Sequence, residues 1–170
     1  MYPGKNLGAY GDAGIITTNN LNLFKPNGQF GTRLQGGDDS ASERYIFTQL
    51  NDITRSIYID EDKDVLNYLD DDGTLVEPEF YVPIIPMVLV NGTKGIGTGF
   101  STEVLCYNPT DIIEYIRGRL MTGEFDTSRQ FIPYYEGFNG SIANVSEGKF
   151  IVRGRHEIIG DDKVRITELP

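Results

Sequence analysis

Several residue types that usually provide cross-links, metal sites or catalysis are nearly absent from this 170-residue sequence. It contains one cysteine, Cys106, one histidine, His156, and no tryptophan. A single cysteine cannot form a disulfide within the chain, and one cysteine with one histidine cannot form a zinc cage. One histidine also leaves no credible Ser-His-Asp arrangement. The sequence therefore argues against a disulfide scaffold, a zinc-structured domain and a serine hydrolase.

Long apolar runs are also missing. No stretch approaches the roughly 18 apolar residues needed to span a bilayer, and the first residues lack the apolar core of a signal peptide. We therefore expect a soluble, intracellular protein. With 39% hydrophobic residues the chain can bury a core. At about 100 to 200 residues per domain, its length suits one domain or a piece of a larger protein.

Positively charged residues are few. The chain has 15 Lys and Arg against 25 Asp and Glu, which gives a net charge of -10. Such a balance ordinarily counts against nucleic-acid binding, because binding neutralises phosphates. The excess is local, however, since residues 60–79 hold nine acidic residues and one lysine. Such an acidic stretch usually forms a face of the protein that is exposed to solvent. A basic groove elsewhere remains open, and we expect the acidic stretch to face away from it.

Periodicity predicts an α+β protein. Ser40 or Ser42 can cap a helix that continues to Ile57, with Tyr45 in its first turn or just before it. Asp72-Gly73 predicts a hairpin, and a second helix spans residues 111–121, capped by Thr110 or Asp111. Residues 84–90 look like a buried segment that Pro86 interrupts. From residue 131 onward, alternating residues predict a meander of about four strands, with turns at Asn139-Gly140, Glu147-Gly148 and residues 160–162.

A glycine-rich segment, "NGTKGIGTGF" at residues 91–100, is predicted to be a loop. It lacks both the Gly-Lys-Ser/Thr ending of a phosphate-binding loop and the G-x-G-x-x-G spacing, so a nucleotide pocket is not favoured. Glycines nevertheless let the backbone approach a partner closely, and the loop presents Lys94 and Ile96. An exposed isoleucine at such a place is either capped by the core or inserted into a partner.

Tyrosine is the remaining class of candidate nucleophile, with ten in the chain. Pattern alone makes Tyr45 an ordinary surface or half-buried helix residue. It is set apart by its neighbour Arg44 and by Arg33 upstream, because a tyrosine that attacks phosphorus needs positive charge beside the transferring group. A phenol has a reference pKa of about 10 and is mostly protonated at pH 7. It therefore needs nearby cations or a base.

Four ordered motifs resemble the DNA breakage and rejoining region of eukaryotic-type DNA topoisomerase II. They are "GQFGTRLQGG" at 28–37, "RYIFT" at 44–48, "EPEFYVPIIPMVLVNGTKGIGTGF" at 77–100 and "ITELP" at 166–170. The resemblance is close over residues 19–122 and looser over 131–170. It implies a partial winged-helix domain at residues 1–122 that carries the tyrosine on a loop and helix. The start of a β-rich tower domain would follow at residues 123–170.

The resemblance also implies roles for individual residues. Tyr45 would attack a DNA phosphodiester to leave a 5′-phosphotyrosine link, and Arg44 would stabilise charge on the scissile phosphate. Ile96 would wedge between bases and kink the duplex, and Lys94 would touch a phosphate. Gln29 and Arg33 would line the DNA path. Two residues depart from the family pattern, because Asp38 replaces a common lysine and Glu43 a common proline.

The implied activity is that of a type IIA topoisomerase, which cleaves one duplex, passes a second one through the break and reseals it. Magnesium and ATP would be bound outside this chain, which has no metal site of its own. The partners would be double-stranded DNA, a second copy in a homodimer, and metal-binding and ATPase domains. The resemblance implies a nuclear location in a eukaryote, or a viral protein acting in its host cell. Alone, the chain is predicted to be inactive, and the alternative is a DNA-bending or interaction module without cleavage.

Overall fold

The structure, a computed structural model, describes residues 20–32, 35 and 37–170. The chain divides into two compact units, Met1–Met87 and Val88–Pro170. The helices are α1 (Asp52–Ile57), α2 (Met87–Asn91) and α3 (Pro109–Thr122), and two 3₁₀ turns lie at Glu43–Tyr45 and Asp60–Val65. The strands are β1 (Tyr68–Asp71), β2 (Thr74–Pro78), β3 (Thr93–Gly97), β4 (Phe100–Val104), β5 (Ser141–Ser146), β6 (Lys149–Arg153), β7 (Arg155–Ile158) and β8 (Val164–Glu168). This mixture agrees with the predicted combination of helices and strands.

Within the described residues, all eight strands pair as antiparallel hairpins, β1 with β2, β3 with β4, β5 with β6 and β7 with β8. The four strands expected after residue 131 are therefore present. They form two separate two-stranded sheets rather than one meander. The predicted turns at Glu147-Gly148 and residues 160–162 connect strands, whereas Asn139-Gly140 precedes β5 and joins no strand pair.

The helix predicted from Ser40 to Ile57 is wrong over its first half. After the Glu43–Tyr45 turn the chain runs extended and pairs with an earlier segment through an antiparallel bridge between Phe24 and Leu50. Helix α1 begins only at Asp52. Side-chain bonds strengthen this pairing, since Thr48 Oγ1 donates to the carbonyl of residue 25 at 2.6 Å and Thr54 Oγ1 donates to that of residue 23 at 2.6 Å. These tertiary contacts override the helical spacing of the apolar residues.

The hairpin predicted at Asp72-Gly73 is confirmed. Asp72 has a φ of 51° and Gly73 a φ of 85°, and positive φ at both central residues is typical of a type I′ turn. The Asp70 carboxylate accepts a bond from the Gly73 N–H at 2.7 Å. The acidic stretch contains this hairpin and the preceding 3₁₀ turn, in which Lys63 pairs with Asp60 at 2.9 Å.

The apolar segment at residues 84–90 is only partly buried. Ile85 and Val90 are buried, whereas Ile84 is exposed. Pro86 comes directly before helix α2, and the fixed φ of proline suits the residue at a helix entry. The expectation of a buried segment is therefore correct for two positions and wrong for the exposed ones.

Helix α3 lies in the second unit. It begins two residues earlier than predicted, and the cap is Asn108, whose side chain accepts the Thr110 N–H at 2.9 Å. It ends at Gly123, which has a φ of 80° and donates its N–H to the Arg119 carbonyl, as expected for a glycine at this position. The segment after α3 packs back on the helix, because Arg129 contacts acidic side chains at 3.3 Å, Phe125 stacks on Tyr115 and Phe131 meets the Tyr115 ring edge-on.

Candidate active site

Tyr45 is held at the surface by its neighbours in the chain. It closes the 3₁₀ turn, and its N–H donates to the Ser42 carbonyl at 2.9 Å. The residue is 71% exposed, whereas the next residue, Ile46, is 6% exposed and packs against Phe30. The chain thus anchors Ile46 inside the first unit while the phenol stays accessible to a large substrate.

Arg44 lies beside this phenol. Its guanidinium carbon is 5.5 Å from the centroid of the Tyr45 ring, a distance at which a cation and an aromatic face attract each other. Its Nε also donates a long hydrogen bond of 3.4 Å to Ser42 Oγ. Arg44 is exposed, so its planar fork of N–H groups can bind a phosphate next to the tyrosine.

The loop that precedes the turn is closed by hydrogen bonds. The side-chain Nε2 of Gln29 donates to the backbone carbonyl of Asp39 at 2.9 Å. The backbone carbonyl of Gln29 accepts from the Ala41 N–H at 2.9 Å. The Asp39 carboxylate accepts from the Thr32 N–H at 2.7 Å. This hydrogen bond is the main reason that the pKa of Asp39 lies below its usual value. Gln29 thus ties the two ends of the loop together.

The loop requires a glycine at position 31. Its φ is +92°, and a Cβ at this position would lie 2.8 Å from the Gly37 carbonyl oxygen. A side chain is therefore excluded both by backbone conformation and by the close approach of the opposite side of the loop. Arg33, the other candidate on this loop, lies outside the described residues. Asp38, one of the two departures from the family pattern, is exposed.

Lys94 and Ile96 lie together on a hairpin in the second unit, so the predicted loop at residues 91–100 is wrong. Strands β3 and β4 pair from Thr93 with Val104 to Gly97 with Phe100. The two-residue connection contains Gly99 at a φ of +81°. Ile96 is 87% exposed, as a residue that inserts into a partner must be. Lys94 Nζ lies 3.3 Å from a carboxylate oxygen of Glu103.

Sequence reasoning missed two residues of these sites, Asp39 and Glu103. Nothing in the pattern around Asp39 indicates that its carboxylate reaches back seven residues to Thr32. Glu103 could have been found, because a two-residue turn at Thr98-Gly99 places it opposite Lys94. The glycines at alternate positions of β3 hide the strand pattern that would have indicated this turn.

Metal binding finds no support in the described part of the chain, where no group of three or more His, Cys, Asp or Glu side chains could hold a metal ion. Among the same residues, no helix is long and apolar enough to cross a membrane.

Comparison with known proteins identifies the family. Residues 15–170 match the family of the DNA gyrase/topoisomerase IV A-subunit. The chain is 48% identical over 155 residues to DNA topoisomerase 2 top-2 of Caenorhabditis elegans, covering 91% of this chain and 10% of that protein. It is 47% identical to DNA topoisomerase 2 of Acanthamoeba polyphaga mimivirus, covering 91% of this chain and 12% of that protein.

A solved structure agrees with these relatives. The crystal structure of the Plasmodium falciparum topoisomerase II DNA-binding, cleavage and re-ligation domain superposes with a TM-score of 0.81 at 40% identity. It covers 93% of this chain, which spans 22% of that chain. This chain belongs to the DNA gyrase/topoisomerase IV A-subunit family, and the resemblance inferred from its motifs is confirmed. It spans about a tenth of the length of these two curated relatives.

Proposed function

We propose that this chain is the DNA-cleaving and DNA-rejoining part of a type IIA DNA topoisomerase, with Tyr45 as the nucleophile. The observation that carries the proposal is the exposed Tyr45 beside the Arg44 guanidinium, on a turn that Ile46 anchors. The phenolic oxygen attacks the phosphorus of a DNA phosphodiester and gives up its proton. The bond from phosphorus to O3′ breaks, and O3′ takes up a proton to leave a free 3′-hydroxyl.

Resealing reverses these bonds. The 3′-hydroxyl attacks the phosphotyrosine, the phosphodiester forms again and the phenol regains its proton. Because one phosphate ester replaces another, the energy of the broken bond is kept and resealing needs no other energy source. Arg44 stabilises the charge on the phosphate as the bonds change, which is the role that a fixed cation performs in phosphoryl transfer.

The proposed DNA contacts lie in both units. Ile96 inserts between bases and bends the duplex, and Lys94 contacts a phosphate. Arg33 and Gln29 line the DNA path near the tyrosine. The Gln29 amide nitrogen already donates to the Asp39 carbonyl, so contact of that nitrogen with DNA requires an exchange of partners.

The proposed domains are a partial winged-helix domain at residues 1–122 and the start of a tower at 123–170, a division supported by the four strands within residues 141–168.

The complete enzyme is proposed to be a dimer that uses magnesium and ATP held by other domains. ATP hydrolysis would drive passage of the second duplex rather than the cleavage at Tyr45. A nuclear location, or action of a viral enzyme in its host cell, is the corresponding setting.

A second candidate function is a DNA-bending or interaction module that has kept this fold without cleavage. The acidic composition of the chain favours the interaction role, and Asp38, at a position where a lysine would help bind phosphate, weakens the case for cleavage. Cleavage and DNA bending both require DNA contact by the β3–β4 hairpin, whereas an interaction module does not. Only the first requires the Tyr45 hydroxyl.

A chimaera tests the choice between them. The matched segment of the C. elegans relative is replaced by this chain and the product is incubated with magnesium and end-labelled duplex DNA. After denaturation, label should remain covalently attached to the protein, and peptide mapping should place it on Tyr45. The Tyr45→Phe variant should trap no DNA. Tyr81→Phe is the matched control, because Tyr81 is also exposed and lies in the same unit.

The outcomes separate the two functions. Undiminished trapping by Tyr45→Phe would refute the assignment of the nucleophile. If the chimaera binds DNA but traps none of it covalently, the bending module is favoured. If the chain cleaves DNA, Arg44→Lys should slow single-turnover trapping by about tenfold or more, because a lysine cannot reproduce the paired N–H donors of arginine.

A further inference from the structure

One face of the β3–β4 hairpin carries four side chains in a row. The register pairs Lys94 with Glu103 and Ile96 with Ser101. Directly opposed residues in an antiparallel pair share a face, as do residues two apart along a strand. Lys94, Ile96, Ser101 and Glu103 therefore lie on the same face, with the proposed wedge next to an ion pair.

This face is open to solvent. The side chains of Lys94 and Glu103 are 72% and 64% exposed, although their charged atoms lie only 3.3 Å apart. Ile96 and Ser101, on the same face, are exposed as well. A duplex that receives Ile96 would therefore meet both charges of the pair, and one of them has the same sign as the phosphates.

We infer that Glu103 determines how tightly this hairpin binds DNA, by competing with a phosphate for Lys94. The inference rests on the proposed function, because it requires the Ile96 face to contact DNA. A lysine ammonium has three donors, and a donor that binds Glu103 is not available to a phosphate. The carboxylate also neutralises part of the charge that Lys94 presents to DNA. Lys94 therefore contributes less to binding than an unpaired lysine would, and insertion of Ile96 carries more of the contact.

The test measures binding of the full 170-residue chain to a fluorescent duplex by anisotropy, at several salt concentrations from about 50 mM upward. Glu103→Gln should bind about two to five times more tightly, because Lys94 is released from an exposed ion pair and can bind the phosphate with its full charge. The dependence of affinity on salt should also become steeper. Glu61→Gln is the matched control for the change in net charge, since Glu61 is an exposed acidic residue outside the hairpin, and it should have less effect.

A double-mutant cycle separates competition from general electrostatics. Lys94→Met should weaken binding, and Glu103→Gln in the Lys94→Met background should give no more gain than Glu61→Gln gives. If Lys94→Met weakens binding but Glu103→Gln does no more than Glu61→Gln, the inference is overturned while the hairpin contact stands. An equal gain from Glu103→Gln in both backgrounds also overturns it. If the wild-type chain binds no DNA, or if Lys94→Met and Ile96→Ala both leave binding unchanged, the proposed DNA contact fails as well.

Discussion

Phe30 and Ile46 pack against each other inside the first unit, with only 1% and 6% of their surfaces exposed. Ile46 directly follows Tyr45, which is 71% exposed. The backbone beside the proposed nucleophile is therefore fixed by an apolar contact with a residue 16 positions earlier, on the glycine-containing loop. The position of the phenol thus depends on side chains that are buried inside the first unit.

Replacement of this anchor should destabilise the chain. Ile46→Ala removes most of a buried aliphatic side chain and leaves a cavity against Phe30, so the free energy of unfolding should fall by about 2 to 5 kcal/mol. Urea unfolding followed by circular dichroism measures the change, which suits a chain without tryptophan. In the chimaera, the same variant should also reduce trapping at Tyr45.

Phe47→Ala is the matched control for this prediction. Phe47 is the next residue and is larger, but it is 83% exposed. Its removal should change the free energy of unfolding by no more than about 0.5 kcal/mol. A loss for Phe47→Ala equal to that for Ile46→Ala would contradict the assigned orientation of this segment.

Asp39 should make the loop before the turn sensitive to acid. The Thr32 N–H holds the pKa of Asp39 below the usual value of 3.8. A carboxylate with a lowered folded-state pKa adds stability above its unfolded-state pKa and loses it as the pH falls through the folded-state pKa. The contribution should thus be present near neutral pH and disappear below about pH 4.

The Asp39→Asn variant measures this contribution. It should be less stable than the wild-type chain near pH 6, and the difference should shrink as the pH is lowered below 3.8, the usual pKa of an aspartate. Urea midpoints at a series of pH values give the comparison. A difference that stays constant across this range would show that the charge of Asp39 does not stabilise the loop.

Features encoded by short segments were predictable from the sequence. Asp72-Gly73 forms the expected hairpin because both residues adopt positive φ, a local requirement that few other pairs satisfy. Helix α3 was expected for the same kind of reason, since a capping residue precedes it and Gly123 follows it. Its first residue was misplaced by two positions, because Thr110 and Asp111 are also good capping residues.

Features that depend on distant partners were not predictable. The spacing of Ile46, Phe47 and Leu50 fits a helix, yet Ile46 packs on Phe30 and Leu50 bridges to Phe24. These contacts join segments about 16 to 26 residues apart, and periodicity carries no information about them. Arg44 and Arg33 set Tyr45 apart from the other tyrosines, but only the resemblance to the family implied its role as the nucleophile.

Loss of the Ile96 side chain should reduce DNA bending and leave the chemistry at Tyr45 intact. An apolar side chain between two base pairs kinks a duplex by about 20° to 90°, so Ile96→Ala should reduce the bend by at least about 20°. Energy transfer between dyes at the two ends of a duplex measures how far the chimaera bends that duplex. Covalent trapping on a nicked duplex measures the reactivity of Tyr45. Ile158→Ala is the control, because Ile158 is 75% exposed on strand β7 and has no proposed role. An unchanged end-to-end distance with Ile96→Ala, or an equal loss with Ile158→Ala, would refute the wedge.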